Sequence, residues 1–147
     1  MNVIEQLRND HDELKDVMAT LELSVNEQKD NDKTEECFQQ FKKLYQIHTQ
    51  VEEDIVYPAF EKYSELKKLS LKGYQAHHMV DVGLLELKLL PYFSESWGPK
   101  FSVIRDSILT HMGEEEQELF AQAEMQINTE ELMRLGDEMN DLKQRKR

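Results

Sequence analysis

The sequence has a single cysteine, one tryptophan, three prolines and five glycines in 147 residues. One cysteine excludes an internal disulfide framework and fits a reducing compartment, and Cys37 itself reads as a small apolar side chain on a helix. The scarcity of Gly and Pro, with Glu, Leu, Lys and Gln abundant, favours long helices over sheet. No run approaches the ~18 apolar residues of a membrane span. The opening MNVIEQLRNDHDEL contains no basic-then-apolar leader, so a soluble, cytoplasmic protein is expected. Basic residues are also in deficit, eighteen against thirty acidic ones, for a formal net charge of -12. Such a surface repels phosphates, and neither nucleic acid nor membrane is expected as a partner. The length suits about one domain, large enough to bury a core without staples.

What is present is helical periodicity with polar interruptions. From Asn2 to about Glu27 the apolar positions Ile4, Leu7, Leu14, Met18, Leu21 and Val25 keep a 3-4 spacing, broken once at His11, which therefore faces the core. The polar stretch NEQKDNDKT ends that helix, and Thr34 is the expected cap of the next. Its inner line reads Phe38, Phe41, Tyr45, His48, Glu52, Ile55, and Pro58 is expected to kink it about a turn beyond Glu52. A third periodic segment spans about Glu65 to Phe93 and contains His77. SESWGP ends it, with Pro99 in the first turn of a fourth helix that presents Phe101, Ile104, Ile108, His111, Glu115 and Leu119. A last amphipathic stretch, Leu132, Leu135, Met139 and Leu142, is expected to open on an Asn128–Glu131 capping box and to end in the basic tail KQRKR. The pattern predicts an all-α fold: an up-down-up-down four-helix bundle over residues 1–127, with a short fifth helix and tail over 128–147.

One pattern occurs twice: His48, Glu52, Glu53, Tyr57, Pro58 and, 63 positions later, His111, Glu115, Glu116, Phe120, Ala121. His and Glu four apart share one helical face and can reach one metal ion. Helix arms of roughly 24 and 21 Å on either side of the first turn, at 1.5 Å per residue, bring His11 and His48 to nearly the same level. Arms of roughly 18 Å each do the same for Glu52 and His77. The third hairpin returns His111 to within about a turn. All four helices thus bring a His to one layer and two add a Glu. Ionisable groups on the inside of a bundle cost several kcal/mol each unless paired or metal-bound. Two metal ions explain the layer, with the histidines as terminal ligands and Glu52 and Glu115 as bridges. Glu53 and Glu116 read as solvated neighbours or outer partners of the ligands.

These residues resemble the hemerythrin-like, or HHE cation-binding, domain family. The resemblance rests on Asp10-His11, on His48-x-x-x-Glu52-Glu53 followed by Tyr57-Pro58, on the His77-His78 pair, and on His111-x-x-x-Glu115-Glu116 followed by Leu119-Phe120. It implies an oxo- or hydroxo-bridged non-haem di-iron centre that binds dioxygen or related small ligands. His11 and His48 would hold one iron and His77 and His111 the other, bridged by Glu52 and Glu115. Two positions depart from the pattern or leave a choice. Oxygen-carrying hemerythrins have a second His four residues after the first in the third helix, where this chain has Asp81. Asp81 is a candidate fifth terminal ligand, a partner of an iron-bound water, or a solvent-facing residue. His77 and His78 compete for one ligand role, since Val80, Leu84 and Leu87 continue the face of one while Val82, Leu85 and Leu89 continue that of the other. The family pattern favours His77.

The functional expectation is a di-iron protein, not an enzyme, that binds or senses dioxygen, nitric oxide or peroxide, or handles iron. Its partner is a small diatomic ligand or peroxide, and the sequence leaves the oligomeric state open. A peroxidase-like or iron-sulfur-repair activity on the same fold stays open, as does a metal-free helical interaction module docking through the Leu132–Leu142 stripe. A ferritin-like oxidase or zinc hydrolase is disfavoured, because neither Glu-x-x-His nor His-Glu-x-x-His occurs.

Overall fold

A computed structural model describes residues 1–27 and 31–146. The chain runs through α1 (Val3–Glu27), α2 (Asn31–Val51), a π-helical turn (Glu52–Val56), α3 (Tyr57–Phe60), α4 (Ser64–Lys88), α5 (Trp97–Glu114), a second π-helical turn (Glu115–Leu119), α6 (Phe120–Gln126) and α7 (Thr129–Lys146). Helical backbone continues from α2 into α3 and from α5 into α6, so four long helices form the bundle and α7 is the fifth. Among the described residues there is no strand. α1 packs on α2, α4 on α5, and α1 on α5, while α7 lies across α1 and α2.

Asn2 and Glu5 cap α1 reciprocally: the Glu5 N–H donates to Asn2 Oδ1 at 2.9 Å and the Asn2 N–H to Glu5 Oε2 at 3.3 Å. Thr34 does not cap α2, which already begins at Asn31. Thr34 is buried, and its hydroxyl lies 2.7 Å from that of Ser24 across the first hairpin. The NEQKDNDKT break falls partly on residues 28–30, outside the described ones. The third helix stops at Lys88, short of the expected Phe93, and turns cover most of the remainder. Asn128 Oδ1 accepts the Glu131 N–H at 2.8 Å, the first half of the expected box. The Glu131 carboxylate pairs with Arg134 instead of closing the second half. Cys37 is half-buried against the core.

The kink assigned to Pro58 is a π turn that begins earlier. The Tyr57 N–H closes on Glu52 O, five residues back, and the Phe120 N–H closes on Glu115 O in the same way. The second copy has Ala121 where the first has Pro58, so the turn does not require proline. In the first copy Pro58 has no N–H for Glu53 O, and the Tyr74 hydroxyl donates to that carbonyl at 3.4 Å. The extra residue in the turn moves the inner line from Ile55 to Val56 and Tyr57, both buried.

The core is in two parts. One cluster packs Val3, Ile4, Leu7, Val51, Val56, Tyr57, Phe60 and Phe120 with Leu132, Leu135, Met139 and Leu142 of α7. The other packs Leu14, Met18, Phe38, Phe41, Tyr45, Leu84, Trp97, Phe101 and Ile108. Every histidine predicted to face inward lies in sequence between members of the two clusters or beside them, as His11 does between Leu7 and Leu14. The α7 stripe is therefore buried against its own bundle, which leaves it no apolar face for a partner. α4 is apolar on two faces. Val80, Leu84 and Leu87 are buried, while Met79, Val82, Leu85 and Leu89 are exposed.

Candidate metal centre

The polar layer between the two clusters contains His11, His48, Glu52, His77 and Glu115, all buried, with His111 slightly more open at 13 % side-chain exposure. Their ligand atoms form two groups within 4.8 Å: His11, His48, Glu52 and Glu115 in one, Glu52, His77 and His111 in the other. The rings pair accordingly, with centroids 5.0 Å apart for His11–His48 and 5.0 Å for His77–His111. Each glutamate reaches one ring of each pair. Glu52 Oε1 lies 3.2 Å from His48 Nε2 and 3.1 Å from His77 Nε2. Glu115 Oε1 lies 3.3 Å from His11 Nε2 and 3.4 Å from His111 Nε2. The tertiary structure chooses His77 for the layer, since His78 is exposed. Asp81 stands outside both groups. A turn beyond His77, it has rotated toward the surface, onto a groove that it shares with Lys42, Gln46, Glu53 and Lys88.

The far nitrogens of three rings face carboxylates: Glu53 and Glu116, expected as solvated neighbours or outer partners, and Asp10; among the described residues those of His48 and His77 are hydrogen-bonded, that of His11 is not. His48 Nδ1 is 3.1 Å from Asp10 Oδ2, His77 Nδ1 2.7 Å from Glu53 Oε2, and His11 Nδ1 3.4 Å from Glu116 Oε1. Such a partner fixes the ring and leaves Nε2 free as a ligand atom. The arrangement has an approximate two-fold repeat that follows the duplicated motif. Tyr57 stacks on His77 at 5.6 Å and 26°, Phe120 on His11 at 5.6 Å and 25°. The repeat is broken at two points. The Tyr57 hydroxyl donates to Glu115 Oε2 at 2.7 Å, which Phe120 has no group to match. Asp10 precedes His11, whereas Ala76 precedes His77 and offers His111 no carboxylate. Gly73 makes room for Tyr57, because a Cβ there would collide with its hydroxyl. Sequence reasoning noted Asp10 and Tyr57 without giving either a role; the signal was available in a charged and a hydroxylated residue lying on faces that otherwise read as core.

Burial is the largest influence on all four rings and disfavours their charged forms. In His11 burial prevails, helped by the charge of His48, and takes the ring down to about 3. In His111 burial outweighs the Glu52 carboxylate and takes the ring down to about 4. For His48, Glu52 and the Asp10 hydrogen bond overcome burial and lift the ring to about 9. His77 is also lifted against burial, by Glu52 and Glu53. Burial pushes both bridging carboxyls up, but His48 leads the groups that hold Glu52 well below the usual carboxylate range. Glu115, buried beside the ionised Glu52, is held well above it. Without metal, the layer near pH 7 thus holds a charged Glu52 beside a charged His48, with His77 drawn toward its charged form and His11, His111 and Glu115 neutral.

A pH optimum follows for the metal-free protein. His11 and His111 have lowered values, so their stabilising contribution is present above the ordinary His value near 6.5 and is lost as pH falls toward 3–4. His48 is raised, so its contribution is present below 6.5 and is lost as pH rises through about 9. At about 1.4 kcal/mol per unit, each ring's contribution is on the order of a few kcal/mol. Urea melts of metal-free protein should give greatest stability at about pH 6–7. A stability that climbs steadily from acid to alkaline pH contradicts this charge distribution.

The donors fit a metal centre. Among the described residues, His11 Nε2, His48 Nε2, His111 Nε2, Glu52 Oε2 and Glu115 Oε1 are buried without a hydrogen-bond partner. Buried polar atoms are normally satisfied; Ser70 Oγ and Arg105 Nε are unsatisfied elsewhere, but most of the unsatisfied atoms converge on this one layer. The family model for the Hemerythrin HHE cation binding domain matches residues 2–123, which include every residue of the layer. The chain belongs to the hemerythrin HHE cation-binding domain family. The crystal structure of a Hemerythrin HHE cation binding domain-containing protein from Mycobacterium kansasii is similar, with a TM-score of 0.86 at 23% identity over 99% of this chain and 88% of that one. At that identity the likeness speaks for the fold. No curated protein matches the chain. Hemerythrin-like proteins are typically non-catalytic binders or sensors of dioxygen, in keeping with the expectation that this chain is not an enzyme. Among the described residues no helix is long and apolar enough to cross a membrane.

Proposed function

We propose that this hemerythrin-family chain is a cytoplasmic non-haem di-iron protein that binds or senses a small ligand such as dioxygen, nitric oxide or peroxide. His11 and His48 would hold one iron and His77 and His111 the other, with Glu52 and Glu115 as the carboxylates available to both. Asp81 is assigned no bond to metal, because it lies on the open groove rather than in the layer. Residues 1–127 form the iron-binding bundle, and 128–147 the appended helix and tail. The observation that carries the reading is that each glutamate oxygen contacts one ring from each histidine pair. Imidazole nitrogen with carboxylate oxygen suits iron, and two bridging carboxylates offset part of the charge of two ions. Bound iron would supply a redox-active centre able to take up such a ligand.

The chain's own residues set how that centre is held. Asp10 and Glu53 orient two rings through hydrogen bonds, Glu116 lies 3.4 Å from a third, and Tyr57 fixes Glu115 through its other oxygen. His111 has the loosest surroundings, with no carboxylate before its helix partner and some exposure at its edge. Because His48 and Glu115 hold protons in the metal-free layer and His77 is drawn toward its charged form, loading should release protons and weaken as pH falls. Anaerobic reconstitution with ferrous iron should leave about two irons per chain after desalting, and a ligand-to-metal absorption band should develop on exposure to air. Fewer than one iron retained per chain overturns the proposal. The persistence of the spectrum under air then separates reversible ligand binding from simple oxidation.

A further inference from the structure

The family match ends at residue 123, yet α7 begins at Thr129 and lies against α1 and α2 at the level of the polar layer. Its attachment is specific. Gln6 Nε2 donates to Gly136 O at 3.0 Å and to Met1 O at 2.9 Å, and a Cβ at Gly136 would stand 2.5 Å from the Met1 carbonyl oxygen. Leu135 and Met139 bury beside Val3 and Leu7. This docking carries Lys143, one turn from the end of the described helix, over the gap between α1 and α2. Lys143 Nζ donates to Asp10 Oδ1, and both side chains are largely covered, at 15 % and 11 % exposure. The other oxygen of the same carboxylate, Oδ2, faces His48 Nδ1 at 3.1 Å, and His48 Nε2 faces Glu52 at 3.2 Å.

A carboxylate with one oxygen anchored has one orientation left for the other. With Oδ1 tied to an ammonium on a docked helix, Oδ2 stays on the imidazole. Among the described residues nothing comparable supports the second ring pair, where Glu53 on His77 is 39 % exposed and the carboxylate beside the His111 ring is the layer's own Glu115, on Nε2. We infer that Lys143, from the helix beyond the end of the family-model match, is a positioning residue for the metal centre: through Asp10 it locks His48 with Nε2 toward the layer, making the His11–His48 half retain metal more tightly than the His77–His111 half. This rests on the di-iron reading.

The test uses the full chain loaded anaerobically with ferrous iron and challenged with a ferrous chelator. Wild type should release iron in two phases, one equivalent slower than the other. Lys143→Met should speed the slow phase by up to about 10-fold and leave the fast phase in place, less than the roughly 10–100-fold expected for losing the imidazole's own partner, because Asp10 stays. Lys143→Arg should restore most of the slow phase. In an Asp10→Asn background Lys143→Met should add little, since the lysine acts through that carboxylate. Lys146→Met, exposed on the same helix, is the control. The inference is overturned by an unchanged slow phase in Lys143→Met, by an equal loss in the Asp10→Asn background, or by both phases quickening together with a lowered metal-free melting temperature, which marks a purely structural role for α7. Wild-type protein that holds no iron overturns the di-iron reading and this inference with it.

Discussion

Glu52→Gln should both empty the centre and unsettle the metal-free fold. Glu52 is fully buried, ionised, and set against His48 and His77, the two rings that its charge lifts above their ordinary values. The amide removes the negative charge and leaves those rings to be buried as cations or to give up their protons. Breaking a buried pair from one side costs about 3–5 kcal/mol, so metal-free Glu52→Gln should lose stability on that scale. Its iron content should fall from about two per chain to below one, since Glu52 belongs to both ligand groups. Glu115→Gln provides the contrast. Glu115 is neutral without metal, and an amide is close to a protonated carboxyl in shape and hydrogen bonding. The metal-free variant should melt within about 1 kcal/mol of wild type while still binding iron poorly. Chemical denaturation and iron analysis of the two variants separate the roles; equal destabilisation by both contradicts the charge assignment.

Trp97→Ala should cost about 3–5 kcal/mol of stability and leave iron stoichiometry intact. Trp97 is 1% exposed, stacks on Phe101 with centroids 5.6 Å apart, and meets Phe38 edge-on at 5.3 Å. It anchors the cluster at the far end of the bundle. Fourteen helical residues separate it from His111, roughly 21 Å along α5. Two clusters with a polar layer between them can lose packing at one end while the ligands keep their level. Iron-loaded Trp97→Ala should therefore show a lower melting temperature with about two irons still bound. Loss of iron in step with stability would mean that the far cluster and the layer form one unit.

The bundle was legible because its signals are local and periodic. His11 interrupts an apolar line at core spacing, and His48 with Glu52 and His111 with Glu115 sit one turn apart, so face and level follow from 1.5 Å per residue. The third helix was less legible. Apolar residues follow both His77 and His78, and only packing against α5 shows that Val80 and Leu84 are inside and Val82 and Leu85 outside. The π turns left no trace in the composition, since closing on the fifth residue rather than the fourth depends on how the two glutamates and the aromatic residues after them are accommodated between helices. Proline was the visible breaker, but the copy without it bends in the same way.

By itself, then, the sequence determined which residue types could meet in one layer, because helical period and arm length are properties of the chain. Which atoms of those residues face one another was decided only in three dimensions. Asp10 on His48, Glu53 on His77, Glu116 on His11, Tyr57 on Glu115 and Lys143 on Asp10 are contacts between elements distant along the chain. No local pattern encodes them, since each depends on the rotation and docking of two helices at once.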